Sequence, residues 1–242
     1  MRIIKIQLSK KLLRQMPAKE RNIFLLLGHI ANENIILQKF LLMSRNPSEV
    51  EEEGWAEVTQ ALLISKVLVA KLFEGWDKVQ KLILKDKSSC NSLLKDMDEI
   101  GQKALAELKQ HFGKSNRFST VRNKLAFHYD IAEVEKSFGT LAETSEIAIL
   151  LGKESGNSLY YASEIVMMEA LIGIYGGDAQ VAVDTFFNDL ASCANHFGNF
   201  IESCLCVLLG RYFPDIKPQA NEIPDPPRMD SVRIPFFVVV GD

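Results

Sequence analysis

Histidine and cysteine are scarce in this chain, four of each among 242 residues, and that scarcity removes most metal chemistry. No His-Glu-x-x-His occurs, nor a pair of Cys-x-x-Cys motifs. The nearest grouping, Cys193 with His196 one turn on and Cys204 beyond, lacks a fourth ligand, so satisfied core residues are expected and no metal or cofactor. Cys193 and Cys204 would stand about 16 Å apart on one helix, too far for a disulfide. Cys90, Cys193, Cys204 and Cys206 therefore read as buried, reduced thiols. A G-x-S-x-G nucleophile elbow is missing, and Gly152-Lys153-Glu154-Ser155 lacks the upstream glycine of a phosphate loop. Charge of one sign is not in excess either. With 28 Lys and Arg against 31 Asp and Glu, the net charge is −3, and whole-molecule electrostatics draw the chain to neither nucleic acid nor membrane.

Long uninterrupted apolar runs are also lacking. The most apolar stretch, 23–43, carries His29, Asn32, Glu33, Asn34 and Lys39 in its interior, whereas a membrane span needs about 20 nearly uninterrupted apolar residues. Charge interrupts the first sixteen residues every few positions, so a signal peptide is not expected. The composition points to a soluble, cytoplasmic protein without a membrane partner. Its apolar fraction of 47% is ample for a buried core.

Proline is nearly absent from the first 213 residues, and helices can run long there. After an opening strand-like alternation in IIKIQL, the spacing predicts helices over about Ala18–Met43, Trp55–Lys85 and Asn91–Phe112. A shorter helix over about Thr120–His128 would be capped by Ser119, and Asp130 with Glu133 gives a capping-box-like start to the next. The stretch 140–157 fits helix or buried strand equally. Helices over Ser158–Tyr175 and about Ala179–Tyr212 follow, separated by Gly176-Gly177 and capped by Asp178. The fold class expected is all-α, an antiparallel helical bundle, with one domain over 1–213 and a proline-rich tail over 214–242. The tail holds six of the eight prolines and ends in the strand-like run Phe236–Val240, which would need covering, for instance by pairing with the N-terminal strand as a small two-stranded element.

One segment reads as chemistry: Val121-Arg122-Asn123-Lys124-Leu125-Ala126-Phe127-His128-Tyr129-Asp130. It resembles the HEPN superfamily, whose ribonucleases carry an Arg followed after four to six residues by His, often with a polar residue after the Arg and an aromatic close behind the His. The resemblance covers about ten residues, and the long C-terminal helix and the tail have no counterpart in it. On a continuous helix Arg122 and His128 would lie roughly 120° apart, so a helix end near His128 is needed to bring them together. The family's dimers join two such motifs across an interface.

The resemblance implies a metal-independent endoribonuclease of the toxin or phage-defence type, a homodimer, with RNA as substrate and an antitoxin as a further partner. His128 would transfer protons, Arg122 would grip phosphate bidentately, and Asn123 would orient either one. Lys109, Lys114, Arg117, Arg122 and Lys124 lie in a stretch without acidic residues and with Phe112 and Phe118 interleaved, a composition suited to an RNA groove. Phe118, Lys124 and Tyr129 join Lys109, Lys114 and Arg117 as candidate RNA contacts. The alternative is a non-catalytic helical module that binds protein or RNA, with Arg122 paired to a carboxylate and His128 a structural hydrogen bonder.

Overall fold

The computed structural model describes residues 1–44, 48–85, 90–113, 116–126 and 130–239, without the side chains of 90, 91 and 155. It is an all-α helical bundle with one small antiparallel sheet made by the chain termini. In chain order, a strand β1 (Arg2–Lys5) precedes a single turn α1 (Lys10–Leu13) and the long α2 (Ala18–Met43). Next come α3 (Glu51–Val79), α4 (Cys90–Lys95), α5 (Glu99–His111), α6 (Arg117–Val121), α7 (Ile131–Thr140), α8 (Tyr161–Tyr175), α9 (Ala179–Tyr212) and the strand β2 (Gln219–Glu222).

The spine is α9, packed against α5, α2, α8, α3 and α4. Asp178 starts it, its carboxylate accepting from the Val181 amide at 2.9 Å, and Phe186, Leu190, Phe197, Phe200, Ile201 and Leu208 fill the core along it. Close approach depends on two glycines. A Cβ at Gly75 of α3 would stand 2.9 Å from the Phe197 ring, and one at Gly101 of α5 would stand 2.3 Å from the Ser203 hydroxyl. Gly176 and Gly177, at φ of 75° and 84°, turn the chain from α8 into α9.

Several expected boundaries move. Helix α3 begins at Glu51, four residues early, because Glu51, Glu52 and Glu53 favour the positive end of its dipole. The single helix expected over Asn91–Phe112 is two, broken where the Asp98 carboxylate accepts from the Gly101 amide and starts α5. Helix α6 starts at Arg117 because Asn116, not Ser119, caps it, its Oδ1 accepting from Phe118 at 2.9 Å. The stretch 141–160 is irregular apart from a short 3-10 turn, Ser155–Asn157, and one isolated bridge between Leu150 and Leu159.

The termini do form the two-stranded element, but β1 pairs with Gln219–Glu222 rather than with Phe236–Val240. The Met1 amine locks that end, donating to the Ile223 carbonyl at 3.0 Å and to Asp225 at 2.6 Å. Val238 is instead tied to the Asn157 side-chain amide through two hydrogen bonds, and Val239 is exposed rather than covered. Cys193 and Cys204 are buried as expected, while Cys206 is exposed. No single described helix is long and apolar enough to cross a membrane; α8 and α9 reach that only taken together, across a 74° bend, and both line the core.

Candidate functional site

The expected motif begins at a change of helix type. After α6 the chain runs through a π-helical turn, Arg122–Ala126, that packs on α3. Phe118, Val121 and Leu125, spaced i, i+3 and i+7, all point into the core and fix the turn there. Arg122 is thereby laid against α3. Its Nη2 donates to the Glu74 carboxylate at 2.5 Å, its Nη1 donates to Asn123 Oδ1 at 2.8 Å, and its guanidinium sits 5.4 Å from the centre of the Phe73 ring. The Nε is buried without a hydrogen-bond partner. Arg122 and Asn123 are thus brought together, and the guanidinium is already neutralised.

The other expected contacts divide. Lys109 is exposed on α5. Arg117 lies over the Tyr175 ring at 5.0 Å, with Asp189 of α9 at 3.6 Å. Lys124 donates to the Glu133 carboxylate of α7 at 2.5 Å. Phe118 is a correction: it is fully buried, edge-on to the His111 ring at 4.4 Å, and offers no face to a base. Its companion Phe112 stacks on Trp76 at 5.2 Å. The cause is the Asn116 cap, which sets the helical phase so that Phe118 faces inward. Lys114, His128 and Tyr129 lie outside the described residues.

Sequence reasoning missed the carboxylates. Glu74 is 48 residues from Arg122 and Asp189 is 72 from Arg117, so nothing local signals either pair. Glu133, nine residues past Lys124, was legible only as a capping residue.

Glu133 belongs to a helix mounted in an unusual sense. In α7 the Asp130 side chain caps the amides of Ala132 and Glu133, as expected. The residues α7 buries are Glu133 and Ser137, while Ile131, Val134 and Phe138, at i, i+3 and i+7, face outward. Ile131 is 79% exposed and Phe138 61% exposed. Glu133 tolerates burial because Lys124 and Lys136 both reach it. The Lys124 hydrogen bond holds the Glu133 carboxyl below the ordinary range, and the same bond raises the Lys124 ammonium. Past α7, Ile147, Ile149 and Leu151 also face solvent, at alternate positions of an extended run, and Leu151 is 76% exposed.

A second cluster lies between α5 and α9, where Glu107, His111, Ser192, Cys193 and His196 line a cavity of about 120 Å³. His111 Nε2 is buried without a partner, and burial pushes its imidazole below the usual range. Among the described residues no three His, Cys, Asp or Glu side chains are grouped to hold a metal ion. No family model matches the chain, and no curated protein or solved structure matches it either.

Proposed function

We propose that this chain is a helical protein-interaction module whose working surface is the outward apolar face of α7 and the extended run after it. The observation that carries this reading is the inversion of α7, with carboxylate and hydroxyl inward and Ile131, Val134 and Phe138 outward. A helix that leaves most of its apolar stripe in water gains little from it on folding, and exposed apolar surface of this kind marks a site of association. The test is a photo-crosslinking residue at position 138, compared with one at Lys103 on the exposed face of α5, in cells that make the protein. A specific adduct to a polypeptide at 138 and none at 103 is expected. Equal labelling at the two positions would overturn the reading.

The ribonuclease reading stands second. What supports it is the coupling of Arg122 to Asn123 at a π-helical turn, a feature that recurs at functional sites. It requires Arg122 to exchange Glu74 for a phosphate, and it needs His128 as the proton-transfer group. Arg117, Arg122 and Lys124 already lie beside carboxylates, which ranks RNA behind a protein partner at α7; the homodimer and the antitoxin belong to this second reading. Cleavage of RNA in EDTA, leaving 2′,3′-cyclic phosphate ends and lost in His128→Ala, is what this reading expects. Full activity in that variant would sink it.

A further inference from the structure

We infer that the occupant of the α7 face is a cationic amphipathic helix from another protein. The inference rests on the interaction-module reading and adds the chemistry of the partner. Ile131, Val134 and Phe138 form a straight apolar ridge spanning two helical turns, about 10 Å. Ala132, Glu135 and Gly139, also at i, i+3 and i+7 and exposed, run along one flank of it, and the space beside Gly139 is open. The flank thus sets one unpaired carboxylate between two small residues, beside the apolar ridge.

The charge of α7 and of the segment after it selects the partner. Over 130–157 the sequence carries six carboxylates against two lysines. Lys136 is committed to Glu133, and of the remaining exposed charges without an ion pair among the described residues four are carboxylates, Glu135, Glu143, Glu146 and Glu154, against one ammonium, Lys153. A second copy of this chain would bring the same carboxylates against these and be repelled, and a nucleic acid or an anionic lipid surface meets the same barrier. A helix with apolar residues at i, i+3, i+4 and i+7 and with Lys or Arg on its flanks matches the ridge, Glu135 beside it and the acidic segment that follows. Steering by these carboxylates makes the association dependent on salt.

The test uses the full chain and three labelled synthetic helices with one apolar face, flanked by Lys, by Gln or by Glu, together with phosphatidylserine-containing vesicles. Fluorescence anisotropy is expected to show the Lys-flanked helix binding at least about tenfold more tightly than the Gln-flanked one, and more weakly as salt rises. Phe138→Asp abolishes that binding, and Glu135→Lys with Glu146→Lys lowers it at least about tenfold while thermal unfolding is unchanged. Equal binding of the Lys- and Gln-flanked helices overturns the charge assignment. A dimer in sedimentation that Phe138→Asp dissociates assigns the face to a second copy and overturns the proposal, as does vesicle binding in place of peptide binding. If no helix binds while the crosslink at 138 persists, this inference fails and the module reading stands; if the crosslink is also lost, both fail.

Discussion

Helices α5 and α7 are both cleanly two-sided in sequence, and the fold mounts them in opposite senses. In α5 the apolar Ala104, Leu105 and Leu108 face α9, and Lys103 and Lys109 face water. In α7 the apolar stripe faces water, and Glu133 and Ser137 face the protein. Neighbours make the difference. Helix α9 offers α5 an apolar surface and a Ser203 pocket for Gly101, whereas α7 packs along α8 and its inward carboxylate Glu133 meets Lys124 from the turn after α6. Amphipathic spacing therefore says that a helix has two faces, and the partner placed opposite decides which one is buried.

That contrast can be broken from the core side first. Phe197→Ala empties a fully buried site where α9 meets Gly75, and a loss of about 3 to 5 kcal/mol is expected, read by urea unfolding. A loss under about 1 kcal/mol would remove α9 from its place as the spine.

A smaller effect sharpens the account of α7. A carboxyl whose folded pKa lies below its unfolded value contributes stability that is present above that unfolded value, 4.5 for Glu133, and is lost as pH falls through the folded value. The Lys124 ammonium, raised in the fold, contributes below 10.5 and loses its contribution as pH rises through its higher folded value. Glu133→Gln is thus expected to be less stable than the parent chain at neutral pH, with the gap closing in acid. A gap that stays constant down to about pH 3 would show that the inward ion pair does not hold α7 in place.

Much of the frame was legible because helix signals are local. Asp130 and Asp178 cap as their positions suggest, Gly176-Gly177 ends α8, and the sparse prolines allow α2 and α9 their length. Asp98 and Asn116 are equally ordinary caps, but apolar spacing that continues across Asp98 hid the break there, and Ser119 is as plausible a cap by type as Asn116 three residues before it. The partner of β1 was not legible, since pairing across more than 200 residues leaves no local pattern. Phe118 illustrates the same limit at the candidate site: an aromatic among cations fits a nucleic-acid surface and a core stripe alike, and the phase set by Asn116 chose the core. The inversion of α7 was hidden for a related reason, since its stripe has the spacing of any buried face.

The central claim is that the stripe of α7 serves association and not folding. The most direct measurement is the thermal and urea unfolding of the combined variant Ile131→Asn, Val134→Asn, Phe138→Ser beside the parent chain. Unchanged helical content and a stability within about 0.5 kcal/mol of the parent are predicted. A loss of several kcal/mol would place the stripe in the core and contradict the account.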